Sequence, residues 1–337
     1  MPSAFWSRRR FLLNSLASGA GLTAAAHLAP AGVRQAFAQT PLATTITQEP
    51  FARLEQIADG VWAVVSTPFN DQGGLGDPRT LANGGLIAGS DHVLAVEAFW
   101  QPAGAAWLAE QSEQLTGKRP THVVLSHYHA DHSAGIAGYD TIGAAPPQVI
   151  ATRTTYDTLI ERYGQPQTVE DAPFKRVRLS RLPSHIIPLG QDRIDLDLGG
   201  RTVALVMRHG HTASDISIEL ADPPVIFAGD LVWQGIFPNF TDSAPSALSR
   251  HVAELAARAP ETVIVPGHGS LIRPSGMGDF QAVLETLEQT ARAAHQAGNS
   301  VEAAAEALRL PEAAADWTLF NPRYYELAMA AWYRELG

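Results

Sequence analysis

The chain of 337 residues is 45% hydrophobic and 17% charged, a composition typical of a globular protein with enough apolar side chains for a sizeable core. It contains no cysteine, which excludes disulfides, thiolate metal ligands, a cysteine-linked lipid anchor and a thiol nucleophile. Its formal net charge is −10, and an acidic surface repels phosphate backbones, so we expect no nucleic-acid partner.

The N-terminus has the features of an export signal. Arg8-Arg9-Arg10 precedes a run rich in alanine, glycine and leucine, and Ala36-Phe37-Ala38 fits a small-x-small cleavage site. We therefore predict a twin-arginine signal over residues 1–38, export to the periplasm and a mature chain of residues 39–337. An uncleaved membrane anchor is the alternative, but polar residues interrupt the apolar run. Cleavage removes four arginines and no acidic residue, which takes the net charge to −14.

The first half of the mature chain is predicted to start with strands and continue with alternating strands and helices. Residues 40–52 form a polar lead-in, residues 164–190 are irregular, and Gly89-Ser90-Asp91 is a hairpin turn. The predicted strands are 61–65, 85–88, 92–97, 123–125 and 149–151, and the predicted helices are 102–115 and 154–163. Strands that alternate with helices pair in parallel.

The second half again has a β-rich block followed by helices. Its predicted strands are 193–198, 202–207, 216–220, 225–228 and 262–265, and its predicted helices are 246–258, 280–297, 301–308 and 323–336. Two such blocks predict two sheets with helices packed outside them. We expect a single domain over residues 39–337, with a C-terminal helical extension from about residue 276.

Four candidate metal ligands follow the predicted strand 123–125. His127 and His129 stand two residues apart, so their side chains point the same way in extended backbone, and Asp131 and His132 follow where the chain turns into a helix. Imidazole and carboxylate suit zinc, iron or manganese, and a strand end gives them rigid support. A polar turn rich in histidine is the alternative, but four potential ligands within six residues favour a metal site.

The spacing His-x-His-x-Asp-His resembles the signature of the metallo-β-lactamase superfamily, and the likeness extends over about residues 55 to 275. The other matching motifs are Gly210-His211-Thr212, Ala228-Gly229-Asp230-Leu231 and Pro266-Gly267-His268-Gly269. The resemblance implies an α/β fold of the four-layer αββα sandwich type. It also implies one metal ion held by His127, His129 and His211, a second held by Asp131, His132 and His268, and Asp230 as the bridge.

The resemblance further implies a hydrolase with two divalent metal ions, zinc as first choice and manganese or iron as alternatives. In such a site a metal-bridging hydroxide attacks the substrate, and Asp131 and Asp230 are the catalytic carboxylates. β-Lactamases proper usually carry cysteine or serine in place of Asp230, so an ester, lactone or thioester of a small molecule is favoured over an amide or β-lactam. The sequence has no Gly-x-Ser-x-Gly elbow, which agrees with a metal mechanism.

Two other functions stay open on the sequence. A single iron bound through the same motif would resemble the persulfide dioxygenases of this superfamily, which are oxidoreductases rather than hydrolases. A non-catalytic, exported metal-binding or sulfur-relay protein is the second alternative, although seven retained donors argue against it. The residues carry no signal for an oligomeric state.

Residues near the motifs have two interpretations each. Trp233 and Phe237 either wall the substrate pocket or pack under the C-terminal helices, with the pocket preferred, and Tyr128 poses the same choice. Asp215 either orients His211 or accepts backbone hydrogen bonds in a turn.

Three further features of the sequence lie outside the motifs. Glu97 stands where the family usually has an aspartate, a departure from the pattern. His209 is either a partner of the metal ligands or an exposed residue, with exposure preferred. The loop from Pro68 to Pro78 corresponds to one that overhangs the metal site in the family, so it is either a substrate flap or a plain hairpin connection.

Overall fold

The structure is a computed structural model that describes residues 42–67, 76–164 and 179–337. The predicted signal, most of the loop from Pro68 to Pro78 and residues 165–178 of the segment predicted as irregular lie outside the described residues. In the part of the chain that is described, no helix is both long and apolar enough to cross a bilayer.

The first sheet has eight strands that lie side by side in chain order. They are β1 Thr44–Glu49, β2 Ala52–Ala58, β3 Val61–Ser66, β4 Gly84–Ala88, β5 Val93–Val96, β6 His122–Val124, β7 Gln148–Thr152 and β8 His185–Ile187. Strands β1 to β5 pair antiparallel, and β5 to β8 pair in parallel because helical crossovers connect them. The predicted hairpin and the predicted parallel pairing are therefore both present.

The second sheet has five strands in the order β13-β12-β11-β10-β9. They are β9 Arg193–Asp197, β10 Thr202–Arg208, β11 Asp215–Leu220, β12 Val225–Trp233 and β13 Val263–His268. The first four pair antiparallel, and β12 pairs in parallel with β13. Every residue of β12 and β13 is buried, so these two strands form a rigid base for the residues at their ends.

Seven α-helices cover the sheets in the described part of the chain. They are α1 Pro102–Thr116, α2 Ala130–Ser133, α3 Arg153–Tyr163, α4 Pro245–Ala256, α5 Gly278–Gln296, α6 Val301–Ala307 and α7 Tyr324–Leu336. Helix α1 begins with a proline and ends at Gly117, which adopts the left-handed conformation (φ 73°).

Three apolar clusters hold the layers together. One lies between the two sheets and includes Val124 and Phe227. A second packs the first sheet against α1 and α3 and includes Leu159. The third packs the second sheet against the C-terminal helices and includes Leu284 and Trp332. The order of layers is thus helices, sheet, sheet, helices, which confirms the predicted αββα sandwich.

The structure differs from the predicted elements at three places. The polar lead-in over residues 40–52 was a wrong prediction, because β1 and the start of β2 lie there. β1 is an edge strand with mostly exposed side chains, so it lacks the apolar alternation that marks a half-buried strand. β8 is a three-residue strand within the segment predicted as irregular. β12 continues to Trp233, so Asp230 lies within a strand rather than beyond its end.

Candidate metal centre

The first sheet supplies four candidate donors from the chain that follows β6. Leu125 still donates a backbone hydrogen bond to β7, and His127 comes two residues later. His129 is the N-cap of α2, so Asp131 and His132 stand in the first turn of that helix. A strand end and a helix start therefore fix the four side chains beside one another.

The second sheet supplies the other three donors. His211 lies in the loop between β10 and β11, Asp230 lies within β12, and His268 ends β13. Two glycines of the predicted motifs are required by close packing here. A Cβ on Gly210 would meet the backbone of α4 at 2.7 Å, and a Cβ on Gly267 would collide with the Asp230 carboxylate.

All seven predicted ligands come together, in two groups whose donor atoms lie within 4.8 Å of one another. The first group is His127, His129, His211 and Asp230, and the second is Asp131, His132 and His268. Donors from both sheets are present in each group. The centre therefore forms only when the two sheets have packed together.

The spacing of the nitrogens in the first group fits a metal ion. His129 Nδ1 lies 3.0 Å from His127 Nε2 and 2.9 Å from His211 Nε2. With zinc–nitrogen bonds of about 2.0–2.1 Å, neighbouring nitrogens of a tetrahedral site are about 3.3 Å apart, close to these values. Without a metal ion, one proton on His129 Nδ1 would have to be shared between His127 Nε2 and His211 Nε2. A cation placed between these three nitrogens would accept a lone pair from each of them.

The second group contains polar atoms that require a further partner. His132 Nε2, His268 Nε2 and Asp230 Oδ1 are buried and lie close together, but none of them makes a hydrogen bond of good geometry among the described residues. Buried polar atoms without a partner are costly. Imidazole nitrogens and carboxylate oxygens are donors suited to divalent transition metals, so the residues present fit such ions.

Asp230 directs one carboxylate oxygen to each group. Its Oδ2 lies 3.2 Å from His211 Nε2, and its Oδ1 lies 3.1 Å from His132 Nε2 and 3.4 Å from His268 Nε2. Burial alone would raise the pKa of Asp230, but the surrounding histidines, above all His268 and His132, hold it well below its ordinary value. The carboxylate is therefore ionised and stands between the two groups.

Two histidines of the first group, His127 and His211, are neutral. Burial lowers the pKa of His127 well below its ordinary value and that of His211 to about 3. His132 of the second group behaves differently. Burial lowers its pKa, but the charges of Asp230 and Glu97 outweigh burial and raise the pKa well above its ordinary value. Asp230 lies beside Nε2 and Glu97 beside Nδ1, so only a proton on Nε2 would occupy the place that a cation takes.

Glu97 supports the second group, a role that its position in the sequence did not reveal. Its Oε1 lies 3.1 Å from His132 Nδ1, and its Oε2 accepts a hydrogen bond from the Ser126 backbone at 3.1 Å. The side chain is 1% exposed. The glutamate thus faces the nitrogen of His132 that points away from the other donors.

Asp215 holds a turn rather than an imidazole ring. It accepts hydrogen bonds from the backbone nitrogens of His211 and Thr212 and from the Thr212 hydroxyl at 2.7–3.1 Å. Of its two predicted roles, acceptance of backbone hydrogen bonds is the one present, and this fixes the loop that carries His211. His209 is exposed and lies against His251 at 5.5 Å, as preferred from the sequence.

Trp233 lies against the metal centre, whereas Phe237 lies away from it. Trp233 is buried, stacks on His268 with ring centroids 4.1 Å apart and donates a hydrogen bond to the Asp230 carbonyl. Phe237 is fully buried and packs on Tyr325 of α7 at 4.8 Å. The preferred placement of Phe237 in the pocket wall was wrong, because it belongs to the core beneath the C-terminal helices.

Two residues that carried no motif signal lie beside the centre. Phe320, in the loop before α7, contacts the rings of His268 at 5.3 Å and Trp233 at 6.1 Å. Asp242, in the loop before α4, accepts a hydrogen bond from the Tyr128 hydroxyl. Tyr128 is thereby turned toward Asp242, with its ring against that of His129 at 4.6 Å.

The centre opens to solvent on one side. The side chains of His129 and Asp131 are 14% and 24% exposed, whereas those of the other five donors are at most 3% exposed. A substrate would therefore approach past His129 and Asp131.

The chain matches the model of the Metallo-beta-lactamase superfamily over residues 79–268. It is 26% identical over 171 residues to an acyl-coenzyme A thioesterase of Homo sapiens, covering 47% of this chain and 59% of that protein. It is 28% identical over 171 residues to the hydroxyacylglutathione hydrolase of Acidiphilium cryptum, covering 51% and 59%. The matched region is thus less than two thirds of the length of these two relatives.

Two further likenesses cover more of this chain. A type 2 metallo-beta-lactamase of a Bacillus species is 24% identical over 244 residues, covering 70% of this chain and 80% of that protein. The stereoselective inverting sec-alkylsulfatase of a Pseudomonas species shares the fold, with a TM-score of 0.64 at 17% identity over 84% of this chain and 50% of that one. The family match covers more than half of the chain and contains all seven donors, so the chain belongs to the metallo-beta-lactamase superfamily.

Proposed function

We propose that this protein is a hydrolase with two divalent metal ions, zinc as first choice, that cleaves an ester, lactone or thioester bond of a small molecule. The observation that carries the proposal is Asp230, whose two carboxylate oxygens face two separate groups of donors. His127, His129 and His211 would hold one ion, and Asp131, His132 and His268 the other. When bound, the pair of ions would supply a water of lowered pKa and polarise the carbonyl of the substrate.

The residues of the chain itself place and shield the substrate. Phe320, which is partly exposed and lies against His268, is the apolar side chain that would contact an uncharged acyl group, and the buried Trp233 packs behind it. Asp131, on the open side, is the carboxylate placed to accept a proton from the substrate side of the centre. The five deeply buried donors exclude bulk water from the far side of the centre.

The identity of the scissile bond rests on two arguments. Asp230 occupies the position at which β-lactamases proper usually carry cysteine or serine, so β-lactam hydrolysis is the less favoured activity. An acyl-coenzyme A thioesterase and a hydroxyacylglutathione hydrolase, which share the family, support thioester or ester cleavage. The β-lactamase similarity keeps cephalosporins in the test.

We propose that residues 1–38 are a twin-arginine signal and that residues 39–337 act as one periplasmic domain. The arginine triplet and the small-x-small site support the signal, and the three apolar clusters that join both sheets and the C-terminal helices support a single domain. Substitution of Arg8 and Arg9 by lysine should leave the protein in the cytoplasm. Periplasmic export of that variant would refute the signal.

One experiment tests the function. The purified protein is loaded with zinc, manganese or ferrous iron, its metal content is measured, and it is assayed with p-nitrophenyl esters, lactones, thioesters and cephalosporins. We expect two metal equivalents, ester or thioester turnover, and at least a 100-fold loss of activity in Asp230→Asn, since even residues that only support ligands are worth about 10- to 100-fold. One ferrous ion with sulfur-dependent oxygen uptake would instead establish an oxidoreductase, and metal without any turnover would indicate a binding protein.

A further inference from the structure

We infer that Asp242, outside every motif of the family signature, is the positioning residue for His129, and that Tyr128 and Arg162 hold Asp242 in place. The inference rests on the proposed metal centre and adds to it the residue that sets the orientation of its most exposed histidine. Asp242 lies in the loop before α4, whereas His129 and Tyr128 follow β6 and Arg162 lies in the last turn of α3.

Asp242 contacts all three residues. One oxygen, Oδ2, accepts a hydrogen bond from the Tyr128 hydroxyl and lies 3.9 Å from His129 Nε2. The other, Oδ1, accepts a hydrogen bond from Arg162 Nη2 at 2.7 Å. Arg162 also lies over the Tyr128 ring, with its guanidinium carbon 5.5 Å from the ring centroid. The three side chains thus form a closed set of contacts around the outer edge of His129.

The orientation of His129 shows how Asp242, Tyr128 and Arg162 would affect its imidazole ring. Its Nδ1 faces His127 and His211, so Nδ1 is the atom that must carry a free lone pair for a metal ion. A neutral imidazole with a free Nδ1 carries its proton on Nε2, and Nε2 is the nitrogen that faces Asp242. A negative charge beside Nε2 favours this tautomer and turns the ring toward the centre.

The charge of Asp242 is maintained by its surroundings. The Tyr128 hydroxyl and the Arg162 guanidinium both donate hydrogen bonds to Asp242, and donors of this kind favour the ionised carboxylate. Tyr128 is 5% exposed, and its hydroxyl is directed to Asp242. The phenol therefore acts as a fixed donor to Asp242.

A surface ion pair alone would contribute little. Arg162 is 46% exposed and pairs with Asp242 much as Arg181 pairs with Asp140 in the loop before β7. Of these two aspartates, only Asp242 also faces an imidazole of the metal centre. Asp140→Asn is therefore a matched control, since it removes a comparable arginine pair without touching His129.

The test measures metal binding rather than turnover. Cobalt(II) is titrated into metal-free wild type, Asp242→Asn, Asp242→Glu, Tyr128→Phe and Asp140→Asn, with affinities from chelator competition and ligand geometry from the visible absorption of the bound ion. For Asp242→Asn we expect one of the two ions to bind about 10- to 100-fold more weakly with an altered spectrum. Asp242→Glu should recover part of the affinity, Tyr128→Phe should lose less, and Asp140→Asn should match wild type.

The outcomes separate this inference from the proposed function. If wild type binds no metal, the proposed function fails and the inference fails with it. If wild type binds two ions and Asp242→Asn binds both with the same affinity and spectrum, the inference alone is wrong. An equal loss at both ions with an unchanged spectrum would show a merely structural role and would also overturn it. Should Asp242→Asn fail to fold, Tyr128→Phe with wild-type affinity and spectrum at both ions would decide against the inference.

Discussion

At the scale of single residues, Glu97 is the carboxylate that supports the second donor group. Its carboxylate lies 3.1 Å from His132 Nδ1, and its backbone has a φ of 71°. A positive φ is uncommon for a residue with a side chain, and it persists where the surrounding structure enforces it. We predict that Glu97→Gln weakens metal binding by the second group about 10- to 100-fold, because the amide no longer supplies a negative charge to His132.

Equilibrium competition with a chromophoric chelator measures this loss. Glu110→Gln, at an exposed position of α1, is the control and should bind both ions as wild type does. Equal affinities of wild type and Glu97→Gln for both ions would show that the charge of this carboxylate is not needed.

The donors could be predicted from the sequence, and the residues that support them could not. His127 to His132 are close in the sequence, and each of the remaining donors lies in or soon after an apolar run. Asp242 reaches Tyr128 across 114 positions, and Phe320 reaches His268 from the C-terminal extension. Such contacts depend on tertiary packing, which spacing does not encode.

At the scale of elements, Arg208 joins β10, β11 and α4 near the loop that carries His211. Its guanidinium donates hydrogen bonds to Ser217, Glu219 and Glu254 at 2.8–2.9 Å. Its side chain is only 5% exposed, so these partners offset the cost of burying the charge. The network fixes the second sheet against α4, on which the Gly210 loop also packs.

The Arg208 network gives stability a predictable dependence on pH. The hydrogen bond with His251, and then that from Arg208, lowers the pKa of Glu254. A lowered carboxylate pKa stabilises the native state at pH values above the unfolded pKa of about 4.3, and this contribution is lost as the pH falls below it. We predict that between about pH 5 and pH 3 the urea midpoint of metal-free wild type falls more steeply than that of Glu254→Gln.

Glu261→Gln, at an exposed position beyond α4, is the control for this comparison and should follow wild type. Parallel urea midpoints for wild type and Glu254→Gln over that range would mean that the network contributes no acid-sensitive stability.

The loop before α7 brings Phe320 to the centre. The backbones of Gly235 and Phe237 exchange hydrogen bonds with Thr318 at 2.9–3.2 Å, which ties this loop to the chain after Asp230. If the proposed esterase activity holds, Phe320→Ala should lower kcat/KM for a long-chain p-nitrophenyl ester about tenfold and for the acetyl ester much less. A tenfold loss corresponds to about 1.4 kcal/mol of apolar contact.

Leu319→Ala is the matched control for Phe320→Ala, because Leu319 packs on the C-terminal core. It should keep the wild-type preference for chain length, and both variants should keep two metal equivalents. A Phe320→Ala variant with an unchanged ratio of long-chain to acetyl activity would place the acyl-binding surface elsewhere.

The predicted elements were most accurate where burial produces a pattern. Strands β3 to β7 and β10 to β13 are apolar and were found within a few residues. β1 and β8 lie at the edges of the first sheet, and pairing of their backbones rather than burial of alternate side chains defines them. The end of β12 was missed because Gly229 and Asp230 interrupt its apolar run.

At the scale of the whole molecule, the metal centre connects the two halves of the sandwich. The first sheet contributes His127, His129, Asp131 and His132, and the second contributes His211, Asp230 and His268. The unfolded chain cannot hold these donors together, so metal ions bind the native state preferentially. Metal binding and the packing of the two sheets are therefore coupled.

We predict that chelation lowers the unfolding temperature of the metal-loaded protein. A free metal concentration of 100 times Kd stabilises the native state by about 2.7 kcal/mol at one site, which corresponds to a rise of roughly 5 °C for a protein of this size. His211→Gln should lose most of this metal-dependent rise, because it removes one of the two donors, His211 and Asp230, that the second sheet offers to the first group. His209→Gln, two residues away and exposed, should keep it in full. Thermal melts with and without chelator measure the difference, and the same metal-dependent rise in both variants would mean that the ions do not join the sheets through His211.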